Sequence, residues 1–128
     1  MLEILDQDAG HWEKYGFGPW VLVEQASGTM IGRGGLRWTD LEEGRAVEAP
    51  WTIRSDKWGR GYASEAAAAA LAWARSLRLT EVIALVRPDN PASRRVAKKA
   101  GFHFDRETVH AGLPHLLFRK TLAPSDTR

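Results

Sequence analysis

The segment that most constrains the fold is residues 51–64, where a β-branched stretch runs through a short polar loop into an alanine-rich helix. Gly59 and Gly61 let the loop turn sharply and present several backbone N–H groups on one side. The N-terminus of the following helix adds the positive end of its dipole to those groups. The segment therefore predicts an anion site, best suited to phosphate or pyrophosphate, at the start of the helix.

Hydrophobic periodicity predicts the order strand, strand, strand, helix, strand, helix, strand, strand. The unit from residue 46 to residue 87 is expected to be a right-handed parallel strand–helix–strand crossover, flanked by antiparallel strands. We therefore predict an α/β (α+β) fold with a mixed, mostly antiparallel sheet. The predicted strands are 20–25, 30–38, 46–54, 81–87, 102–109 and 113–122, and the predicted helices are 60–78 and 91–100.

Four less regular features carry their own expectations. Residues 2–14 are predicted to be a helical remnant, and residues 39–45 a polar loop. Glycines at 32, 34 and 35 predict a close backbone approach or a bulge in the second strand. Pro50 cannot donate to a ladder, so it predicts a bulge or an edge in the third strand.

Length and composition limit the class of protein. A chain of 128 residues, 44% hydrophobic and 27% charged, is typical of one soluble domain, which we place at 1–128. The absence of cysteine excludes a disulfide framework, a thiolate zinc site and a cysteine nucleophile. No apolar run approaches the roughly 18 residues of a membrane span.

The charge and the first residues predict a compartment and a partner class. The first ten residues are acidic and lack the basic region of a signal peptide, so we expect a cytoplasmic protein with no membrane partner. A net charge of +2 without a long basic run does not imply nucleic acid as a partner.

Two other phosphate-binding motifs fit residues 59–64 poorly. A dinucleotide fingerprint G-x-G-x-x-G needs glycine where Ser64 stands, and its glycines follow a strand directly, whereas residues 55–58 intervene here. A Walker loop would need a Gly-Lys-Ser/Thr sequence that is absent. A glycine-bearing helix entry without any ligand is the structural alternative.

A second motif follows at residues 87–102, with Asn90, Ser93 and Gly101 among its members. Together with residues 58–66 it resembles the GNAT N-acetyltransferase superfamily, most closely the branch that acetylates ribosomal-protein N-termini. In the superfamily signature Gln/Arg-x-x-Gly-x-Gly/Ala, Trp58 takes the first place, and residues 61 and 63 fill the others. The resemblance covers roughly residues 15–120.

The resemblance implies acetyl-CoA as co-substrate, with its pyrophosphate on the N–H groups of residues 59–64. The pantetheine arm would pair with the main chain of residues 52–54, which requires the third and fourth strands to separate. Lys57 and Arg60 lie close enough to add charge, or are solvated loop cations. The cofactor-binding residues implied are Thr52, Ile53, Arg54, Trp58, Gly59, Arg60, Gly61, Tyr62, Ala63, Ser64, Asn90 and Ser93.

Asn90 and Ser93 also have a structural interpretation. Asn90 before Pro91 is a good helix N-cap, and Ser93 at the third helical position can bond the same turn. The resemblance implies that Asn90 contacts coenzyme A or its ordered water. It also places Ser93 where this branch protonates the leaving thiolate.

Glu48 is the candidate general base. The amine that attacks a thioester is an ammonium at neutral pH and must first lose a proton, and a carboxylate beside the separated strands could accept it through water. The alternative is that Glu48 is a solvent-facing strand residue. Glu24, Glu42 and Glu43 are weaker candidates for the base, and we interpret them rather as surface charges.

The histidines predict no metal site, since His11, His103, His110 and His115 lack close ligand spacing. His110 and His115 flank the last turn, which in the resembling family borders the acceptor pocket. A role in substrate binding is therefore an open alternative for these two residues.

Family members begin with a strand and a helical pair that have no evident counterpart before Tyr15. The strand at residues 20–25 would then lie near an open sheet edge, surrounded by the aromatic residues Trp12, Phe17 and Trp20. Pairing of that edge with a second copy predicts a homodimer. The alternative is a monomer whose short leader folds back over the edge.

We therefore expect transfer of an acetyl group from acetyl-CoA to a primary amine by direct attack. The alternative is a truncated coenzyme A-binding module without efficient turnover, acting in assembly or regulation. The acceptor is left open among a protein N-terminus, a lysine side chain, a polyamine and an antibiotic amine.

Overall fold

The structure is a computed structural model that describes residues 2–6 and 16–122 of the chain. A 3₁₀ turn at Ser55–Lys57 precedes the first helix. Neither described helix is long and apolar enough to cross a membrane. The strands are β1 (Leu2–Asp6), β2 (Pro19–Glu24), β3 (Thr29–Gly35), β4 (Arg37–Leu41), β5 (Gly44–Glu48), β6 (Thr52–Ile53), β7 (Glu81–Val86), β8 (His103–His110) and β9 (Leu113–Thr121), and the helices are α1 (Tyr62–Ser76) and α2 (Pro91–Lys99).

The strands form two hydrogen-bonded sheets, ordered β1–β2–β3–β6 and β4–β5–β7–β9–β8. β5 pairs with β7 in parallel, and the other described pairs are antiparallel. This arrangement confirms the predicted mixed fold with one central parallel unit. Both helices and the closing β8–β9 hairpin lie within two residues of their predicted bounds.

The beginning of the chain differs from its prediction. Residues 2–6 are a strand and not a helix, and β1 pairs with β2 from Leu2↔Glu24 to Asp6↔Trp20. The rest of the predicted helical remnant, residues 7–14, lies outside the described residues. A short isolated segment gains little from helix formation because nucleation is costly, whereas the free edge of β2 offers it a ready set of hydrogen-bonding partners.

This pairing overturns the expectation that the family's opening strand is missing. β2 lies between β1 and β3 and is not an open edge. Phe17 and Trp20 are buried, and the Trp20 ring stacks on Trp73 at 4.9 Å between centroids. Trp12 and Tyr15, the other aromatic residues at this end, lie outside the described residues.

The second and third predicted strands are each divided in two. The stretch predicted as 30–38 breaks at Leu36, and most of the loop predicted at 39–45 belongs to the tight β4–β5 hairpin. Gly35 provides the bend, with φ of +93° and no room for a Cβ atom, which would lie 2.6 Å from the Gly18 carbonyl oxygen. Backbone geometry at one glycine thus decides a break that side-chain periodicity does not reveal.

The stretch predicted as strand 46–54 crosses from one sheet to the other. The N–H of Ala49 still donates to the carbonyl of Ile83 in β7 at 2.9 Å, but β6 pairs with β3 instead. Gly32 permits that pairing, since a Cβ there would lie 2.0 Å from the Thr52 carbonyl oxygen. The crossing at residues 49–51 confirms the irregularity expected at Pro50 and opens a wedge between β6 and β7.

The core lies between the strands and the two helices. α1 turns small side chains toward β3 and β6, where Ala66, Ala67, Ala70 and Ala74 are buried. Because alanine is short, the helix axis can approach the sheet closely, as the sequence predicted. The bulkiest fully buried side chains are Leu22, Ile31, Leu36, Val82, Ile83, Leu117 and Phe118.

Candidate functional site

A cavity of about 640 Å³ occupies the wedge and extends to the first turns of both helices. Most of the residues singled out from the sequence line it, whereas Arg54 and Arg60 do not. The predicted residues in its lining are Glu48, Thr52, Ile53, Trp58, Gly59, Gly61, Tyr62, Ala63, Ser64, Asn90 and Ser93.

The N-terminus of α1 opens into this cavity without a side-chain cap. Gly61 is the N-cap residue at φ of +81°, and the first bond of the helix runs from the Glu65 N–H to its carbonyl at 3.0 Å. The N–H groups of residues 62–64 therefore have no acceptor within the helix. A Cβ atom at Gly59 or Gly61 would meet no protein atom within 4 Å, so open space faces these groups. The arrangement suits an anion such as phosphate.

Glu24 holds the loop that leads into α1, although the sequence suggested only a surface charge. Its carboxylate is 4% exposed and accepts hydrogen bonds from Ser27 Oγ at 2.7 Å and Lys57 Nζ at 3.1 Å. It also accepts from the Tyr62 hydroxyl at 2.7 Å and from Arg60 Nη1 at 3.3 Å. The hydrogen bonds from Tyr62, Ser27 and Lys57 lower the pKa of Glu24 from 4.5 to about 2.

No pattern in the sequence pointed to this carboxylate, because its partners on the loop lie 33 to 38 residues away. Lys57 and Arg60 are therefore not simply solvated loop cations, since each forms an ion pair with Glu24. Lys57 is largely buried and Arg60 is half-exposed. Two cations share one carboxylate, so a net positive charge stays beside the helix N-terminus.

The main chain of β6 is only partly available to a ligand. The N–H of Arg54 donates to the Ile31 carbonyl at 2.7 Å, and the Arg54 carbonyl accepts from the Lys57 N–H at 2.9 Å. Because neighbouring residues of a strand point their N–H groups to opposite sides, the N–H of Ile53 faces away from β3. Of the three residues predicted to pair with a pantetheine arm, Ile53 has the N–H best placed toward the wedge.

Trp58 contributes to the same part of the wall. Its indole Nε1 donates to the Ile53 carbonyl at 2.7 Å, and 60% of the residue is exposed. The residue at the first place of the glycine motif thus fixes the end of β6 against the loop. Its exposed ring forms a flat apolar surface at the cavity.

Glu48 lies at the point where β5 leaves β7, with its backbone paired to Ile83. It is 3% exposed, which overturns the alternative of a solvent-facing strand residue. Its Oε1 accepts from Arg37 Nε at 3.2 Å, and both residues line the cavity. A buried carboxylate beside the wedge has the position needed for proton transfer. Arg37 was not anticipated from the sequence, since only the β4–β5 register brings it opposite Glu48.

Asn90 caps α2, as its sequence position predicted. Its side-chain oxygen accepts from the Ser93 N–H at 3.0 Å, and Pro91 occupies the first turn. Asn90 and Ser93 also line the cavity, so the cap and a functional role are compatible. The cap holds the first turn of α2 against the wedge.

The rest of the lining combines apolar side chains with several basic ones. The rings of His110 and His115 meet at a T-shaped contact of 5.3 Å. Among the described residues that line the cavity, Glu48 is the one carboxylate, and no group of three metal-ligating side chains forms in the described part of the chain. The basic residues not anticipated from the sequence are Arg87, Arg95 and Lys99. Arg95 and Lys99 lie four residues apart on α2, and that spacing was the signal in the sequence that could have placed them on one face.

The chain matches an acetyltransferase family model and a curated relative in sequence. Residues 3–103 match the family model described as acetyltransferase (GNAT) domain. The protein called "Uncharacterized protein YkkB" of Bacillus subtilis strain 168 is 33% identical over 93 residues. That alignment covers 72% of this chain and 54% of the relative, so the chain spans about half the length of that protein.

Solved structures have the same fold. A GnaT-family acetyltransferase from Bordetella pertussis superposes with a TM-score of 0.78 at 33% identity, covering 88% of this chain and 71% of that one. The ribosomal-protein-S5-alanine acetyltransferase of Vibrio fischeri gives 0.72 at 20% identity, covering 93% and 68%. The yncA protein of Salmonella typhimurium, solved with its cofactor acetyl-CoA, gives 0.72 at 19% identity, covering 91% and 71%. The motifs, the fold and these matches together show that the chain belongs to the GNAT family of acetyltransferases.

Proposed function

We propose that the protein transfers an acetyl group from acetyl-CoA to a primary amine by direct attack of the amine. The observation that carries the proposal is the uncapped N-terminus of α1 opening into the wedge between β6 and β7. The presence of acetyl-CoA in the similarly folded Salmonella protein supports the choice of co-substrate.

Acetyl-CoA supplies an activated acetyl thioester when it is bound. The N–H groups of residues 62–64 would hold its pyrophosphate, with Lys57 and Arg60 adding positive charge. The N–H of Ile53 would pair with the pantetheine arm, and Trp58 would bound the same path. These groups orient the thioester toward the end of the wedge where Glu48 lies.

Two side chains would move protons. An α-ammonium group has a pKa of about 8, so the acceptor must lose a proton before it can attack. Glu48, itself buried beside the wedge, would accept that proton through water. Ser93 would donate its hydroxyl proton to the thiolate that leaves as the C–S bond breaks, and would regain a proton from the nitrogen that has bonded to the acetyl carbon. The amine thus exchanges a hydrogen for acetyl, and coenzyme A leaves as the thiol.

The charge of the residues that line the cavity limits which class of amine can be the acceptor. Glu48, the one carboxylate among the described lining residues, is already paired with Arg37. A polyamine or an aminoglycoside antibiotic carries several positive charges and would find no further carboxylate to pair with among those residues. We therefore favour an acceptor with one amine, either a protein N-terminus or a small molecule.

The second candidate function is a coenzyme A-binding module without efficient turnover. It is favoured by the phosphate-binding features taken alone, since the uncapped N-terminus of α1 and the wedge account for binding without any proton transfer. Such a module would keep the phosphate-binding loop and serve in assembly or regulation. A cytoplasmic location remains a prediction under either function.

The test combines turnover with binding. Thiol release from acetyl-CoA would be measured over a panel containing a peptide with a free N-terminus, the same peptide N-acetylated, a free lysine side chain, a small mono-amine, spermidine and an aminoglycoside. Calorimetry would measure coenzyme A affinity in parallel. We expect turnover with the free N-terminus or a small mono-amine and none with the blocked peptide. Binding without turnover on any amine would favour the module, and absence of binding would refute both functions.

A further inference from the structure

We propose that Glu24 is a positioning residue for coenzyme A, acting through residues 57–62, here called the anion loop. The proposal rests on the proposed function, because it assumes that the cofactor's phosphates bind at the N-terminus of α1. Glu24 lies at the end of β2, in a different segment of the chain, and does not line the cavity. Its effect on binding would therefore be transmitted by the loop.

The contacts of Glu24 span the whole anion loop. Lys57 stands at its first position, Arg60 follows the first glycine, and Tyr62 is the first residue of α1. Ser27, from the β2–β3 turn, donates to the same carboxylate and holds it from the other side. One buried carboxylate thus connects both ends of a loop that contains two glycines.

The loop needs such an anchor because its glycines favour many conformations. Gly59 and Gly61 both have φ of +81°, and neither carries a side chain that could pack. Ordering flexible residues on binding costs free energy, and a loop already held in the binding conformation avoids that cost. The Tyr62 hydroxyl bond also fixes the direction in which the first N–H groups of α1 point.

A purely electrostatic role for Glu24 predicts the opposite change in phosphate affinity from an anchoring role. If Glu24 only neutralised Lys57 and Arg60, removing its charge would raise the positive potential at the site and tighten phosphate binding. If Glu24 anchors the loop, removing its charge releases two cations and two glycines and weakens binding. The direction of the change separates the two roles.

The primary experiment compares Glu24→Gln and Tyr62→Phe with the parent protein. Calorimetry would measure affinity for coenzyme A and for pantetheine, the fragment without phosphates. We expect the Kd for coenzyme A to rise about tenfold in Glu24→Gln, equivalent to about 1.4 kcal/mol, and severalfold in Tyr62→Phe. The Kd for pantetheine should stay near that of the parent in both variants, and the kcat at saturating acetyl-CoA should stay near that of the parent in Glu24→Gln.

Tighter binding by Glu24→Gln, or unchanged binding by both variants, would overturn the proposal. Tyr62→Phe removes one hydrogen bond without changing charge, so it keeps the test valid if Glu24→Gln fails to fold. Equal weakening toward coenzyme A and pantetheine would show a general structural role and would also overturn it.

A second readout needs no ligand. Amide hydrogen exchange of residues 57–64 in the unliganded protein should be faster in Glu24→Gln, while exchange in β7 stays unchanged. Unchanged loop exchange would refute the anchor. If the parent binds no coenzyme A but the loop exchange increases as expected, the proposed function fails while the anchoring of the loop stands.

Discussion

At the scale of single residues, the candidate site depends more on where each residue lies in the fold than on which amino acid it is. Gly61 is useful because its φ of +81° lets the chain enter α1 without a side chain over the free N–H groups. Glu48 is useful because β5 buries it beside the wedge and Arg37 pairs with it. Substitution of Gly61 should change coenzyme A affinity, whereas substitution of Glu48 should change the rate of acetyl transfer.

Replacement of Gly61 by valine should weaken coenzyme A binding tenfold or more, about 1.4 kcal/mol. A β-branched residue is strained at this φ and would also place its side chain where the phosphates approach. Titration calorimetry measures the effect. Gly44→Val, at a positive-φ glycine outside the cavity with equally open surroundings, is the matched control. Parent-like affinity in Gly61→Val would refute the location of the phosphate site.

Replacement of Glu48 by glutamine should lower kcat on the order of 10²- to 10⁴-fold, because the amide cannot accept the ammonium proton. Coenzyme A affinity should hardly change, since the cofactor contacts that we propose lie on the loop and β6. Steady-state kinetics with the best amine would measure both quantities. Glu107→Gln, an exposed glutamate of β8, controls for loss of a negative charge. A parent-like kcat would exclude Glu48 as the base.

At the scale of elements, the decisive feature is the stretch predicted as one strand at residues 46–54, which crosses from one sheet to the other. β5 belongs to the sheet of β7, and β6 belongs to the sheet of β3. Between them the backbone of residues 49–51 separates β6 from β7, which creates the space for a ligand. The close contact of Gly32 with Thr52 is what holds β6 on its new neighbour.

Gly32→Ala should therefore destabilise the fold, because its Cβ would lie 2.0 Å from the Thr52 carbonyl oxygen and the strands would have to separate. We expect a loss of about 1–3 kcal/mol, the usual cost of overpacking. Urea unfolding followed by tryptophan fluorescence measures the change. Gly34→Ala is the matched control in the same strand, since its Cβ would lie at an ordinary 3.5 Å from Leu22. Equal effects from the two substitutions would contradict the argument.

At the scale of the whole molecule, two carboxylates connect distant parts of the chain. Glu24 joins the β2–β3 hairpin to the anion loop, and Glu43 joins the β4–β5 turn to Arg106 of β8 and Arg119 of β9. The hydrogen bond from Arg106, followed by the backbone bond of Glu43, lowers the pKa of Glu43 from 4.5 to about 2. Both carboxylates remain ionised in the folded state well below their ordinary pKa.

The stability of the protein should consequently fall in acid. Between pH 5 and pH 2 the unfolded chain takes up protons at its ordinary carboxyl pKa of 4.5, whereas folded Glu24 and Glu43 resist protonation until about pH 2. Their contribution is complete above pH 5 and is lost as the pH falls toward 2. Urea midpoints from pH 2 to 7 measure the slope. Glu24→Gln and Glu43→Gln should each flatten it; an unaltered slope in both variants would contradict the linkage.

The homodimer stays a prediction, but the open edge on β2 that suggested it is absent from the described residues. An open edge on β2 and exposed aromatic residues would have supported a dimer. In the structure β1 pairs with that edge, and Phe17 and Trp20 are buried. Sedimentation equilibrium at micromolar concentration would measure the mass. A dimer mass would support the prediction, and a monomer mass would refute it.

The sequence by itself determined the two helices, the closing hairpin and the two motifs. The glycine loop before an alanine-rich helix and the Asn90 cap before Pro91 depend on neighbours in the chain, so both were predictable with their positions. The burial of Glu24 and Glu48 and the pairing of residues 2–6 depended on contacts between segments far apart in the chain. Only the tertiary structure decided those features, because burial and hydrogen bonding of a polar group depend on which distant backbone and side chains the fold brings to it.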